Sequence, residues 1–390
     1  MAGSVRSDGI YQFVPSILGD LRGADTVEHG GVRLRASYIL DLMHGIIMRH
    51  NFCGSRRMRL SSQILKKTYG RNYRHYLGFL VGRGALRMVS DYSAGNRCRL
   101  YEVPPGVLGG GMARYLNTDG ELVLKRAIRR HDLNDRNLIG TAMKMRLVDN
   151  LRRASIDYDS ALSMLSDIDD PRTLNKNVHS IESIKDGNLF WHFDDYGRFH
   201  SNFTVIRSSV RKECLRIDGE PTLEVDIPNS QPLFFSWLAR SHGGADPDEL
   251  GRFSDIALGG RLYEHLSDRF GPSVTRSQVK KIVYRALFGR GGPTCHSTGM
   301  LSSVFPSMVA FASAYKRSRG DYRILAHDLQ RAESDFVYNS VLAMVVDARP
   351  GMPFLTVHDS IIVKSSDLGI VETTLNQCMD RHFGLAGVNI

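Results

Sequence analysis

Apolar residues recur every three or four positions between Ser37 and His50, where Ile39, Leu40, Leu42, Met43, Ile46 and Ile47 predict a buried helix. Ser61 offers an N-cap for a second helix through Ile64, Leu65 and Lys66, with a stop at Gly70. A third is expected over Tyr73–Arg83, with Tyr76, Leu77, Leu80 and Val81 on its apolar side. The pattern then shortens. Ala85–Val89 and Arg97–Val103 read as strands joined by a turn at Gly95 and Asn96.

Residues 1–35 are rich in Gly and charge and read as a flexible leader, and Pro104–Gly111 (PPGVLGGG) reads as a linker. From 113 to about 180 the chain looks helical and basic, with Lys125, Arg126, Arg129, Arg130, Lys144, Arg146, Arg152 and Arg153. Such a face suits either plain solvation or a nucleic-acid backbone. Trp191–Phe203 predicts strand, turn (Asp195–Tyr196–Gly197) and strand, followed by a helix near Ser208–Cys214. Thr222–Pro228 is a short buried strand leading into a helix, and residues 245–300 are mostly helical. Two more helices are expected near Ser307–Lys316 and Leu325–Val345. Phe354–Lys364 then alternates apolar strand, polar tip and apolar strand, and a helix from about Asp367 to Phe383 closes the chain. The expected division is a leader (1–35), a helical module with two strands (36–104), a basic helical region (112–188) and an α+β segment (189–390).

Composition narrows the partners. The 390 residues carry a net charge of +10, with 42% hydrophobic and 24% charged residues, a globular balance that favours phosphate-bearing ligands. Five scattered cysteines include no CxxC, which argues against a disulfide framework or structural zinc and fits a reducing cytoplasm. No apolar run is long enough to span a membrane, and the first twenty residues lack a signal-peptide core. Nothing in the sequence bears on oligomeric state.

Chemistry concentrates in three places. In Thr275–Gly289, read as a helix, Arg276, Lys280, Tyr284 and Phe288 lie along one side, while Val279, Ile282, Val283, Ala286 and Leu287 form a separate core stripe. Two cations followed by two rings suit a ligand with phosphates at one end and a base at the other. Asp226 and Asp359 each end an apolar strand with no neighbouring cation in sequence. Such a carboxylate is costly unless paired, capped or bound to metal. Either alone is commonly a cap or ion-pair partner, but two on adjacent strands suit a pair of Mg²⁺ ions, with Mn²⁺ as a substitute.

The order of these segments resembles the palm and fingers of family A DNA polymerases and the related phage-type single-subunit RNA polymerases. Asp226 resembles their motif A, Arg276-x3-Lys280-x3-Tyr284-x3-Phe288-Gly289 their motif B, and Val357-His358-Asp359-Ser360 their motif C. Gly197-Arg198-Phe199-His200-Ser201 is similar to the strand preceding motif A, and Leu329, Gln330 and Glu333 to a Gln-containing helix. The similarity spans about residues 190–390. It implies a right-hand polymerase palm, an antiparallel sheet, with helical fingers (about 245–300) and a thumb-like arm. It also implies that Asp226, Asp359 and the Ile227 carbonyl ligate metal, and that Arg276 and Lys280 grip a nucleoside triphosphate. Tyr284 would meet the sugar and base, Phe288 and Gly289 would lie under the templating pair, and His358 would approach the primer end. Arg198 and His200 would contact template or primer. The N-terminal helices and strands resemble a winged helix-turn-helix of phage and plasmid replication proteins, with Lys66, Lys67, Arg71, Arg74 and Arg97 as contacts.

Three positions bear on the sugar. Gln231 stands where the DNA enzymes carry glutamate and the RNA enzymes glycine, Ser360 matches the RNA enzymes, and Phe288 replaces the tyrosine usual in both. The bulk of Gln231 and the upstream strand favour a compact DNA polymerase of a plasmid, phage or mobile element. The alternatives are a single-subunit RNA polymerase or primase-like enzyme, and a non-catalytic DNA-binding initiator or regulator.

Overall fold

The computed structural model describes residues 9–53, 55, 57–91, 98–126, 142–290 and 295–384. They form a mixed helix-and-strand protein with small antiparallel sheets. The chain divides into two units, one of residues 1–140, 154–191 and 201–219 and the other of 141–153, 192–200 and 220–390.

The first unit is built on the Ala36–Cys53 helix, where Ile39, Leu40, Met43, Ile46 and Ile47 are buried as their spacing predicts. Ser61 caps Ser62–Tyr69 by accepting from the Ile64 N–H, Gly70 ends that helix at φ +73°, and the next helix is Tyr73–Gly82. Strand Arg57–Arg59 pairs with Leu100–Glu102, which also pairs with Arg87–Ser90, so the expected two-stranded ribbon is a three-stranded sheet. The expected turn at Gly95–Asn96 and Arg97 lie outside the described residues, as do Arg129 and Arg130.

The leader and the linker are corrected. Strand Ile10–Pro15 pairs antiparallel with Met112–Asn117, and Phe13, Val14, Leu18, Leu21 and Leu34 join the core. Pro104–Gly111 holds a short helix, Pro105–Gly109, which starts on proline and buries Val107. Residues 112–117 are therefore strand where helix was expected, because their partner lies a hundred residues upstream. Buried Asp41 ties these pieces together by accepting from Gln12 (2.6 Å), Tyr69 (2.6 Å) and the Arg126 guanidinium. A charge so paired and bonded is tolerable in a core. The expected 112–188 region is not a separate body either: helix Pro171–Lys185 belongs to the first unit, with His179 edge-on to Phe13.

In the second unit Ser360–Lys364 pairs antiparallel with Phe354–Val357 on one side and with Glu220–Val225 on the other. Helix Ala142–Leu151 belongs here, and the Asn150 amide donates to the Phe354 carbonyl at 2.9 Å. The remaining helices are Ser230–His242, Pro247–Leu258, Leu262–Phe270, Arg276–Phe288, His296–Ser302, Pro306–Ser318, Ile324–Asp335, Leu342–Ala348 and Leu368–Phe383. A π-helical stretch, Phe336–Val341, interrupts the long helix expected over 325–345. Phe234, Phe336 and Phe383 pack ring to ring at 5.1–5.7 Å in the core. Among the described residues no helix is long and apolar enough to cross a membrane.

Candidate active site

All residues of the candidate site lie in the second unit. Strand Glu220–Val225 pairs with Ser360–Lys364 so that Val225 faces Ile361. The next step of that register sets Asp226 against Ser360, whose hydroxyl donates to the Asp226 carboxylate. Asp359 precedes Ser360 in the two-residue turn that joins the paired ends Val357 and Ser360. The two aspartates, far apart in sequence, thus meet at one end of the sheet. His358, next to Asp359, is left-handed at φ +58°, and Asn229, three residues after Asp226, at φ +47°. Non-glycine residues adopt this conformation at some energetic cost, and it clusters at functional turns.

The Asp359 carboxyl is pushed up to about 6, first by burial, then by the charges of Glu333 and Asp226, against the help of Arg198. A part-buried site crowded with carboxylates fits a hard divalent cation, which would relieve that repulsion. The donors expected from the sequence are two carboxylates and the Ile227 carbonyl, and among the described residues no cluster of three or more His, Cys, Asp or Glu side chains has metal-binding geometry.

Glu333 is the hub beneath them. It is 1% exposed, and its carboxylate accepts from the Arg198 guanidinium, the Ser230 hydroxyl and the Gln231 amide. Arg198, expected to contact nucleic acid, spends one nitrogen on this pair, leaving its buried Nε without a protein partner. Gln231 is buried, with its amide held against Glu333.

Arg198 and His200 sit on a hairpin shaped by Asp194, which accepts from the backbone N–H of Tyr196 (3.0 Å) and Arg198 (2.9 Å), while Gly197 turns at φ +83°. His200 Nε2 lies 2.9 Å from the Asp194 carboxylate, and its ring meets His358 edge-on at 6.0 Å. Burial opposes ionisation of Asp194, but the His200 ring and those two N–H groups hold its carboxyl below the usual range.

Helix Arg276–Phe288 starts in a capping box between Thr275 and Gln278 and buries Val279, Val283, Ala286 and Leu287. Its other side carries exposed Arg276 and Lys280, then half-buried Tyr284 and Phe288. Lys280 Nζ lies 5.7 Å from the Tyr284 ring centre, and Tyr284 meets Phe288 edge-on at 5.2 Å. The Tyr284 hydroxyl interacts with Tyr263, and its pKa is raised by burial and by the charges of Asp359 and Glu333. The ring end of the helix therefore feels both acidic groups. Arg276 pairs with Glu264 at the surface and lies over the Tyr263 ring at 5.4 Å.

The structure thus brings together Asp226, Asp359, His358, Gln231, Arg198, His200 and Tyr284, with Arg276, Lys280, Phe288 and Gly289 on the same helix. Lys66, Lys67, Arg71 and Arg74 are exposed on the first unit, and Arg97 lies outside the described residues. Sequence reasoning missed the hub role of Glu333, and Ser230, Tyr263 and Asp194 altogether. Glu333 had left a signal, because it continues the buried series Leu325, Leu329 and Val337 at four-residue spacing. No protein-family model matches the chain, and no curated protein matches it significantly.

Proposed function

We propose that the second unit is the catalytic core of a template-directed nucleotidyltransferase, a compact DNA polymerase. The meeting of Asp226 and Asp359 on paired strand ends, beside a helix carrying two cations and two rings, carries this reading. In it the paired strands Phe354–Val357, Ser360–Lys364 and Glu220–Val225 form the palm and helices between 247 and 302 are the fingers. The order of helices and strands over 36–102 supports the winged-helix reading of that segment.

Asp226, Asp359 and the Ile227 carbonyl would hold Mg²⁺ or Mn²⁺, which supplies charge neutralisation to the attacking hydroxyl and the leaving pyrophosphate. Arg276 and Lys280 grip the triphosphate. The Arg276–Glu264 pair is exposed on both sides, so a more highly charged phosphate displaces Glu264 at little cost. Tyr284, beside Tyr263, and Phe288 take the base and sugar. Glu333 orients Arg198 toward the primer–template and pins Gln231, so that its bulk stands in one place against a ribose 2′-hydroxyl. His358 borders the primer terminus. The primer 3′-oxygen bonds to the α-phosphorus as the bond to pyrophosphate breaks, a step governed by positioned charge.

A second reading, a single-subunit RNA polymerase, is favoured by Ser360, which follows the turn aspartate and bonds Asp226. Incorporation of labelled dNTPs and rNTPs on primed and unprimed templates separates the two. Primer-dependent dNTP incorporation is expected. Preferential rNTP incorporation would favour the second reading, and no template-dependent incorporation of either would end both.

A further inference from the structure

Between Leu42 and Ser90 the chain contains no Asp or Glu and ten Lys and Arg in 49 residues. Some of these cations are neutralised from elsewhere in the first unit: Arg57 and Arg87 reach Glu102, and Arg83 reaches Asp20. Lys66, Lys67 and Arg71 are exposed and have no carboxylate partner among the described residues. Two of them, with Arg74, Ser62, Gln63 and Tyr73, line a cleft of about 450 Å³. Among the described residues no carboxylate lines it. The Arg74 guanidinium lies 5.9 Å from the Tyr73 ring centre, and its Nε donates to the Tyr73 hydroxyl at 3.3 Å. Three like charges around one cavity repel one another until an anion enters, and a half-exposed phenol ring among them offers a flat face. Phosphate and an unpaired base supply both complements.

The helix that follows the cleft does not suit base reading in a duplex groove. Tyr76, Leu77, Phe79 and Leu80 of Tyr73–Gly82 are buried, and its fully exposed residues are Arg74, Val81 and Gly82. Reading base edges needs a row of Arg, Lys, Asn or Gln side chains, and only Arg74 qualifies. Contacts from this surface hold phosphates and carry no sequence information. We propose that the cleft binds the phosphate backbone of a single nucleic-acid strand without reading its sequence, with an unpaired base stacked on Tyr73. The inference stands apart from the nucleotidyl-transfer reading, since it uses none of the same residues.

The test uses the full chain, labelled DNA and fluorescence anisotropy across a salt series, with EDTA and no nucleotide. Two single strands of unrelated sequence should bind equally, and more tightly than a duplex of either. The double variant Lys66→Ala/Arg71→Ala should weaken strand binding about tenfold and flatten the log–log salt slope by roughly 1.4, two contacts at about 0.7 each. Tyr73→Leu keeps an apolar side chain against the core and should weaken single-strand binding roughly fivefold while leaving duplex binding unchanged. Circular dichroism melts establish that each variant is folded. An unchanged affinity and salt slope in a folded double variant would overturn the proposal, as would tighter binding of one duplex sequence. The binding assay, run with EDTA and without nucleotide, involves no nucleotidyl transfer, so loss of the catalytic reading would leave this result intact.

Discussion

Asp359 lies where its own burial and the charges of Glu333 and Asp226 all oppose ionisation, and its carboxyl titrates near 6 instead of 3.8. Between those values the folded protein holds more protons than the unfolded chain, so this group's stabilising contribution is lost as pH rises through the window. A divalent cation that binds the ionised form reverses the trend. Without Mg²⁺, the melting temperature of the parent relative to Asp359→Asn should fall from pH 4 to pH 6.5. Added Mg²⁺ should raise the parent's melting temperature more at pH 7.5 than at pH 4.5, and that of Asp359→Asn much less. Parallel pH curves for the two proteins, with equal Mg²⁺ responses, would contradict this. At this scale the sequence was informative where chemistry is local: a carboxylate ending an apolar strand is visible in LEVDIP and in FLTVHDS. It was silent on Tyr263, whose hydroxyl matters only because Tyr284 lies opposite.

The helix Ile324–Asp335 ties separate parts of the site together. Through Glu333 it joins the Arg198 hairpin to the first turn of Ser230–His242, and the π-helical stretch after it places the Tyr338 hydroxyl 3.0 Å from the Phe199 N–H. Replacing Glu333 by glutamine leaves the Arg198 charge without its buried partner, a loss of about 3 kcal/mol. It also removes a negative charge that raises Asp359, so the Asp359 midpoint should move to lower pH. Urea unfolding and the pH dependence of Mg²⁺ stabilisation would measure the two effects. A variant as stable as the parent, with an unshifted midpoint, would remove Glu333 from its central place. Glu333 was only partly legible, because its partners lie 102, 103 and 135 residues away. The caps Ser61 and Gly70 were clear in sequence, because each acts within a turn of its own position.

At the scale of the molecule, sequence punctuation misled where pairing is distant. PPGVLGGG looks like a linker and IYQFVP like part of a leader, yet both belong to one body closed by the pairing of residues 10–15 with 112–117. Residues 142–151 likewise sit apart from 220–390 in sequence but fold with them, through Asn150 on the Phe354 carbonyl and Arg153 on the Gly351 carbonyl at 3.2 Å. A fragment of residues 189–390, the boundary read from the sequence, would expose the strand Phe354–Val357, which is buried along its whole length. Such a fragment should be poorly soluble or lack a cooperative thermal transition, and a fragment starting at residue 141 should do better. Equal solubility and melting of the two would refute the assignment of 142–151 to this unit.

The catalytic reading requires both strand-end aspartates, so primer extension by the full chain and by Asp359→Asn, with Mg²⁺ and labelled nucleotide, tests it most directly. The parent should extend a primer by template-directed addition. The variant, unaltered in fold by circular dichroism, should lose on the order of 10²- to 10³-fold in rate, the scale of one preorganised charge contact at a transition state. Extension at an undiminished rate by Asp359→Asn, or none by the parent on any template, would contradict it.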